Sequence, residues 1–166
     1  MSIDERRVYT GGFSGGARVA SQFRFMANHP VAGIIGVGAG IGVRMKPGML
    51  KPLDYFSIVG IEDFNYREVN KLMADFKTVG LNHRLRVYDA IHLWPPKEIC
   101  MEAVEWLEVM AMKKGSRQMN AAVISEIFKK SAALAKKQEK EGKLPYVVAT
   151  LESTIKLFDG LQSTKD

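Results

Sequence analysis

The chain has 166 residues, 46% hydrophobic and 25% charged, the balance of a globular protein with one core and room for an appendage. It holds no apolar run of about 18 residues and no apolar stretch behind the charged start MSIDERRVY, so neither a membrane partner nor an export signal is expected, and the compartment stays open. Its single cysteine, Cys100, excludes an internal disulfide and a zinc site built on cysteine pairs, and is expected to be buried on a helix.

In chain order, RVYTG at 7–11 reads as a short strand that runs into a glycine cluster. Residues 17–28 have helical spacing, with Val19, Phe23 and Met26 on one side, and stop before Pro30. VAGIIGVGA at 31–39 is a continuous apolar run with small residues, the mark of a strand buried on both faces. Residues 40–53 form a loop rich in Gly and Pro. DYFSIVG at 54–60 is the next strand, 66–80 an amphipathic helix ending at Gly80, and HRLRVYDA at 83–90 an alternating strand. Pro95 and Pro96 open a helix through Lys113, with Ile99, Ala103, Trp106, Leu107 and Met110 inward.

Strands separated in this way by helices predict an α/β fold with a parallel sheet of about four strands. Beyond Gly115 the pattern is helical alone. Met119, Val123, Ile127 and Leu134 lie on one helix, Gly142 breaks it, and Pro145 opens a second carrying Val148, Leu151, Ile155 and Phe158. The expected division is therefore 1–114 and a helical hairpin over 115–166. The excess charge also sits here, because 113–143 holds nine Lys/Arg against three Asp/Glu, the whole of the net +6. With Phe128 as its one aromatic residue and no base-reading motif, the segment is expected to be a solvated helix face, and no nucleic-acid partner is expected.

Gly12-Phe13-Ser14-Gly15-Gly16 fits G-x-S-x-G between a strand and a helix. The turn forces Ser14 into a strained conformation, and side chains at 12 and 16 are expected to collide with the neighbouring strand or helix, which glycine avoids. The alternative is a glycine-rich turn that binds a phosphate or makes a tight corner. A nucleophilic serine needs a base and an acid that orients the base. Asp63 follows the strand at 54–60 and His92 follows the strand at 83–90, both at the carboxyl ends of parallel strands, where such sheets place their sites. Glu62 and Asp89 stay open as alternative acids. His29 ends a helix and His83 begins a strand at the wrong end of the sheet, so both are read as structural. GIIGVGAGIG at 33–42 lacks the G-x-G-x-x-G spacing and reads as a close-packed strand. No cluster has metal-ligand spacing, so no metal is expected.

Together DERRVYTGGFSGGARVA, GIEDFNYREV and DAIHLWPPKEICMEAVEWL resemble the C-terminal half of α/β-hydrolase esterases of the polyhydroxybutyrate-depolymerase and dienelactone-hydrolase-like group, over residues 4 to about 110. Their motifs fall here on Ser14, Asp63 and His92. The resemblance implies a partial α/β-hydrolase sheet, hydrolysis of a small-molecule ester through an acyl-serine, and no cofactor. Gly15 N–H would be one oxyanion donor, while the family draws the other from a loop upstream of the nucleophile, where this chain has thirteen residues. Loss of one donor costs on the order of 100- to 1,000-fold in rate. The chain is accordingly expected to be a C-terminal portion of a hydrolase, with the strand at 7–11 exposed as an edge open to self-association. Val59 and Ile91 depart from the family, which often has histidine and glycine there. The alternative function is a hydrolase-like domain without catalysis that serves protein association.

Overall fold

The structure is a computed structural model that describes residues 3–26 and 30–161. The expected parallel sheet is present. It contains β1 (Tyr9–Phe13), β2 (Gly33–Val37), β3 (Asp54–Gly60) and β4 (Asn82–Tyr88), side by side in chain order. Ahead of β1, Asp4 caps a 3₁₀ turn at Glu5–Arg7 by accepting from Arg6 N–H. That turn moves the strand two residues beyond the expected 7–11, so Gly11 and Gly12 are strand residues and β1 ends directly before Ser14.

The chain separates into two compact units, the first ending at Leu107 and the second starting at Glu108, inside α3 (Lys97–Lys113). In the first unit, α1 (Gly15–Met26) follows β1 and α2 (Tyr66–Val79) precedes β4. Alternate strand residues point to opposite faces. Ile34 and Tyr55 therefore join Ala20, Leu72, Met73 and Phe76 in the core under α1 and α2. Their neighbours Gly33 and Phe56 face α3, where Leu107 lies against Gly33 and Trp106 meets Phe56 edge-on at 5.6 Å. Every residue of β3 is buried, as a strand covered on both faces requires. Gly80 closes α2 in the left-handed region at φ 65, a conformation that glycine adopts without steric cost.

The buried face of α1 is Ala17, Ala20 and Ser21, whereas Val19, Phe23 and Met26 are exposed. Small residues let the helix approach β1, from which Thr10 Oγ1 donates to Ala20 O of α1 at 3.1 Å. The end of the helix expected over 17–28 lies outside the described residues. On the α3 face, Arg84 is buried and bonded to Glu102, which Arg86 Nε also reaches at 2.9 Å. Desolvation pulls the Arg84 pKa down. Removing the acid would leave this guanidinium buried without its counter-charge, so Glu102→Ala should destabilise the chain by about 3–5 kcal/mol. Urea unfolding of Glu102→Ala beside the double variant Arg84→Met/Glu102→Leu checks this, since the double variant should recover most of the loss.

The second unit contains α4 (Ala121–Lys140) and α5 (Leu144–Phe158), joined through Gly142 at φ 70. Asn120 caps α4 by accepting from Val123 N–H at 3.1 Å, which leaves Met119 before the helix. Of the expected stripe Val148, Leu151, Ile155 and Phe158, the first three are exposed and Phe158 is buried, together with Thr150, Thr154 and Leu157. Both threonines are satisfied there, Thr150 by donating to Gln138 Oε1 at 2.8 Å and Thr154 to Thr150 O at 2.7 Å. Lys129, Lys130, Lys136, Lys137 and Lys140 are exposed on α4, and Lys130 pairs with Glu126 one turn away at 2.8 Å.

Candidate active site

Ser14 has φ 54, the one positive φ outside glycine among the described residues. A non-glycine residue in that region is strained and persists where its surroundings impose it. Here Ser14 N–H donates to Val37 O at 2.8 Å, tying the turn to the end of β2, and Ala17 N–H closes onto Ser14 O at 3.0 Å. A Cβ on Gly12 would lie 2.4 Å from both the carbonyl carbon and the oxygen of Gly16. Only glycine allows that return of the chain. The matching expectation for Gly16 is corrected, because a Cβ there meets nothing within 4 Å. It points away from the turn that Gly12 faces. Gly12→Ala should therefore cost roughly 1–3 kcal/mol or more, while Gly16→Ala should leave the thermal midpoint unchanged or raise it, since alanine favours the helix. Differential scanning fluorimetry of the two variants separates them. Gly15 and Gly16 also open α1, where the first N–H groups have no acceptor within the helix and the dipole is positive.

Asp63 and His92, from the loops after β3 and β4, are bonded. His92 Nδ1 donates to Asp63 Oδ2 at 2.8 Å, with the Asp63 side chain 1% exposed and that of His92 19%. A carboxylate oxygen accepts, which makes Nδ1 the donor of this bond and leaves Nε2 outside it. Asp63 Oδ1 is taken by Asn65 N–H at 2.8 Å. Asp63 is thus held at both carboxylate oxygens. Glu62, the alternative, is exposed and Asp89 lies exposed one residue beyond β4, not on a packed face of the strand.

Several contacts gather Ser14, Asp63 and His92 at the carboxyl end of the sheet. The ring of Phe13, next to Ser14, lies 4.6 Å from the His92 ring, and Phe64, next to Asp63, lies 4.2 Å from it. A Cβ on Gly38 would come within 3.0–3.1 Å of Phe13, Asp63 Oδ2 and His92 Cε1, so this glycine, at the end of β2, lets the three loops meet. Asn65 Nδ2 donates to Gly38 O at 2.7 Å. At Gly60 a Cβ would fall 2.2 Å from Ala90 O, the close approach that places the Asp63 loop beside the His92 loop. Among the described residues Ser14 and His92 share no hydrogen bond, a contact that often tightens only with substrate present.

Sequence reasoning missed Gly38, Gly60 and Asn65. Gly38 falls within the strand expected over 31–39, yet it is past β2 at φ 62. Asn65 precedes α2 in the position of a cap, but its side chain serves Gly38 instead of the helix. Ile91, where many of the resembled esterases have glycine, has no positive φ and an exposed side chain, so the loop accommodates it.

The remaining candidates fall elsewhere. His83 is the second residue of β4, its Nδ1 bonded to Leu81 O at 2.8 Å, and His29 lies outside the described residues. Cys100 is on α3 as expected but half-buried, its thiol directed to Pro95 O at 3.7 Å. A cleft of about 330 Å³ opens between α1, α2 and the 40–47 loop, lined by Arg18, Ile41, Glu68, Lys71 and Leu72 among others, and contains none of Ser14, Asp63 or His92. Its bidentate pair, Arg18 to Glu68 at 2.7 Å for each bond, fastens α1 to α2. Among the described residues no group of three or more His, Cys, Asp or Glu could hold a metal ion, and no helix is long and apolar enough to cross a membrane. No protein-family model matches the chain, and neither does any curated protein or solved structure.

Proposed function

We propose that the protein is a serine hydrolase that cleaves carboxylic esters through an acyl-serine intermediate. The observation that carries this reading is the buried Asp63 carboxylate bonded to His92 Nδ1, beside a serine held at positive φ at the head of a helix. In this reading His92 Nε2 removes the Ser14 hydroxyl proton as Oγ attacks the ester carbonyl. Asp63 holds the imidazole in the required tautomer and stabilises the imidazolium that forms. Gly15 N–H donates to the oxyanion, where the α1 N-terminus also favours negative charge. His92 then returns the proton to the departing alkoxide, and water attacks the acyl-enzyme by the reverse sequence. No cofactor enters these steps.

The test is a fluorophosphonate probe followed by peptide mapping. The expected product carries the phosphonyl group on Ser14, and absence of the adduct under conditions that label an authentic serine hydrolase refutes the reading. A second reading, an association domain of the same fold, is favoured by the exposed apolar side of α1. It predicts binding without labelling.

A further inference from the structure

We propose that the Tyr88 hydroxyl is a positioning group for His92, fastening the loop that carries the imidazole and so setting the Asp63–His92 bond. The kinetic part of this inference rests on the serine-hydrolase reading; the structural part does not. Tyr88 ends β4 and is buried. Its hydroxyl donates to the carbonyl of Leu93, the residue after His92, at 2.6 Å. Leu93 N–H in turn donates to Ile91 O at 2.8 Å. The His92 peptide is therefore enclosed by two bonds that meet at Leu93.

The same tyrosine also reaches the acid's loop. Ile61 N–H donates to Tyr88 O at 2.9 Å, and Glu62 N–H to Ala90 O at 3.0 Å. These donors are the two residues before Asp63. Tyr88 thus grips the acid loop by its backbone and the base loop by its side chain. Burial and the nearby Asp63 charge both push the phenol pKa up, so the hydroxyl keeps the proton it donates. A displacement of the base by about 1 Å can cost on the order of 100-fold in rate. Tyr55, in the same sheet, provides a contrast, since among the described residues its buried hydroxyl has no partner.

The experiment compares Tyr88→Phe with Tyr55→Phe in the full chain. Three quantities are read, namely amide exchange at Leu93, the far-downfield proton resonance of His92 Nδ1 assigned by its loss in His92→Gln, and the rate of phosphonate labelling. Tyr88→Phe should speed Leu93 exchange, broaden or remove the Nδ1 signal, and slow labelling about 10- to 100-fold, with circular dichroism retained. Tyr55→Phe should change none of these. An unchanged Nδ1 signal and labelling rate in Tyr88→Phe, or equal changes in both variants, overturns the proposal. In the wild-type chain the Tyr88 hydroxyl proton should be protected from exchange, and free exchange there also overturns it, whether or not the variant folds. If the wild type takes no label, the hydrolase reading falls, and the resonance and exchange measurements still decide the role of Tyr88.

Discussion

Ser14→Ala and His92→Ala should each reduce hydrolysis of short p-nitrophenyl esters on the order of 10⁶-fold for a fully competent site, leaving only the rate that substrate binding and oxyanion donation supply. Asp63→Asn should cost less, on the order of 10⁴-fold, because the acid orients the base without itself taking the proton. Glu62→Ala should leave the rate unchanged, as that carboxylate is exposed while Asp63 is bonded to His92. The double variant Ser14→Ala/His92→Ala should be no slower than either single one, since neither residue acts without the other. Activity retained in Ser14→Ala removes the nucleophile from the proposal. Loss with Glu62→Ala and not with Asp63→Asn transfers the acid to the neighbouring position. Labelling rates give the same ordering if turnover in this chain is too slow to follow.

The sheet was legible in the sequence because its strands differ from the helices in more than hydrophobicity. DYFSIVG is short, apolar at both parities and bounded by Pro52 and Gly60, and β3 occupies those same seven residues. The pentapeptide around Ser14 was legible for a steric reason that holds at Gly12 and not at Gly16. Helix phase was harder to read. Apolar spacing identifies a face but not what it packs on, so α1 and α5 were assigned their larger apolar stripes, whereas α1 buries Ala17, Ala20 and Ser21, and α5 buries Thr150, Thr154 and Leu157 along with Phe158, the one member of its assigned stripe that is inside. Small residues win under a helix that must approach closely, and threonine wins where its hydroxyl has an acceptor. Tyr88 and Gly38 were illegible for a different reason. Their roles come from loops of separate βα units meeting at the strand ends, and nothing within a local window records that meeting.

The chain should self-associate through the open edge of β1 and the outer side of α1. β1 pairs with β2 alone among the described residues. Val8 O accepts from Ala32 N–H and Ser14 N–H donates to Val37 O, so by alternation the backbone groups of Gly11 and Phe13 point to the other, open side. Beside that edge α1 exposes Val19 at 58%, Phe23 at 43% and Met26 at 73%. An edge of this kind is a template for another strand, and an apolar helix face next to it adds area that a pairing would remove from water. Neither element carries the usual protection, since β1 has no lysine or proline and the exposed α1 residues are not interrupted by acids. Sedimentation should therefore show dimers or larger species at micromolar concentration. Val19→Glu/Met26→Glu should weaken the association about 10-fold or more, the equivalent of ~1.4 kcal/mol, because pairing would then require burial of two carboxylates on each copy. The substituted side chains lie on the solvent side, so circular dichroism should be unchanged. A wild-type chain that sediments as a monomer at every accessible concentration would show that β1 and α1 are stable in water as they stand.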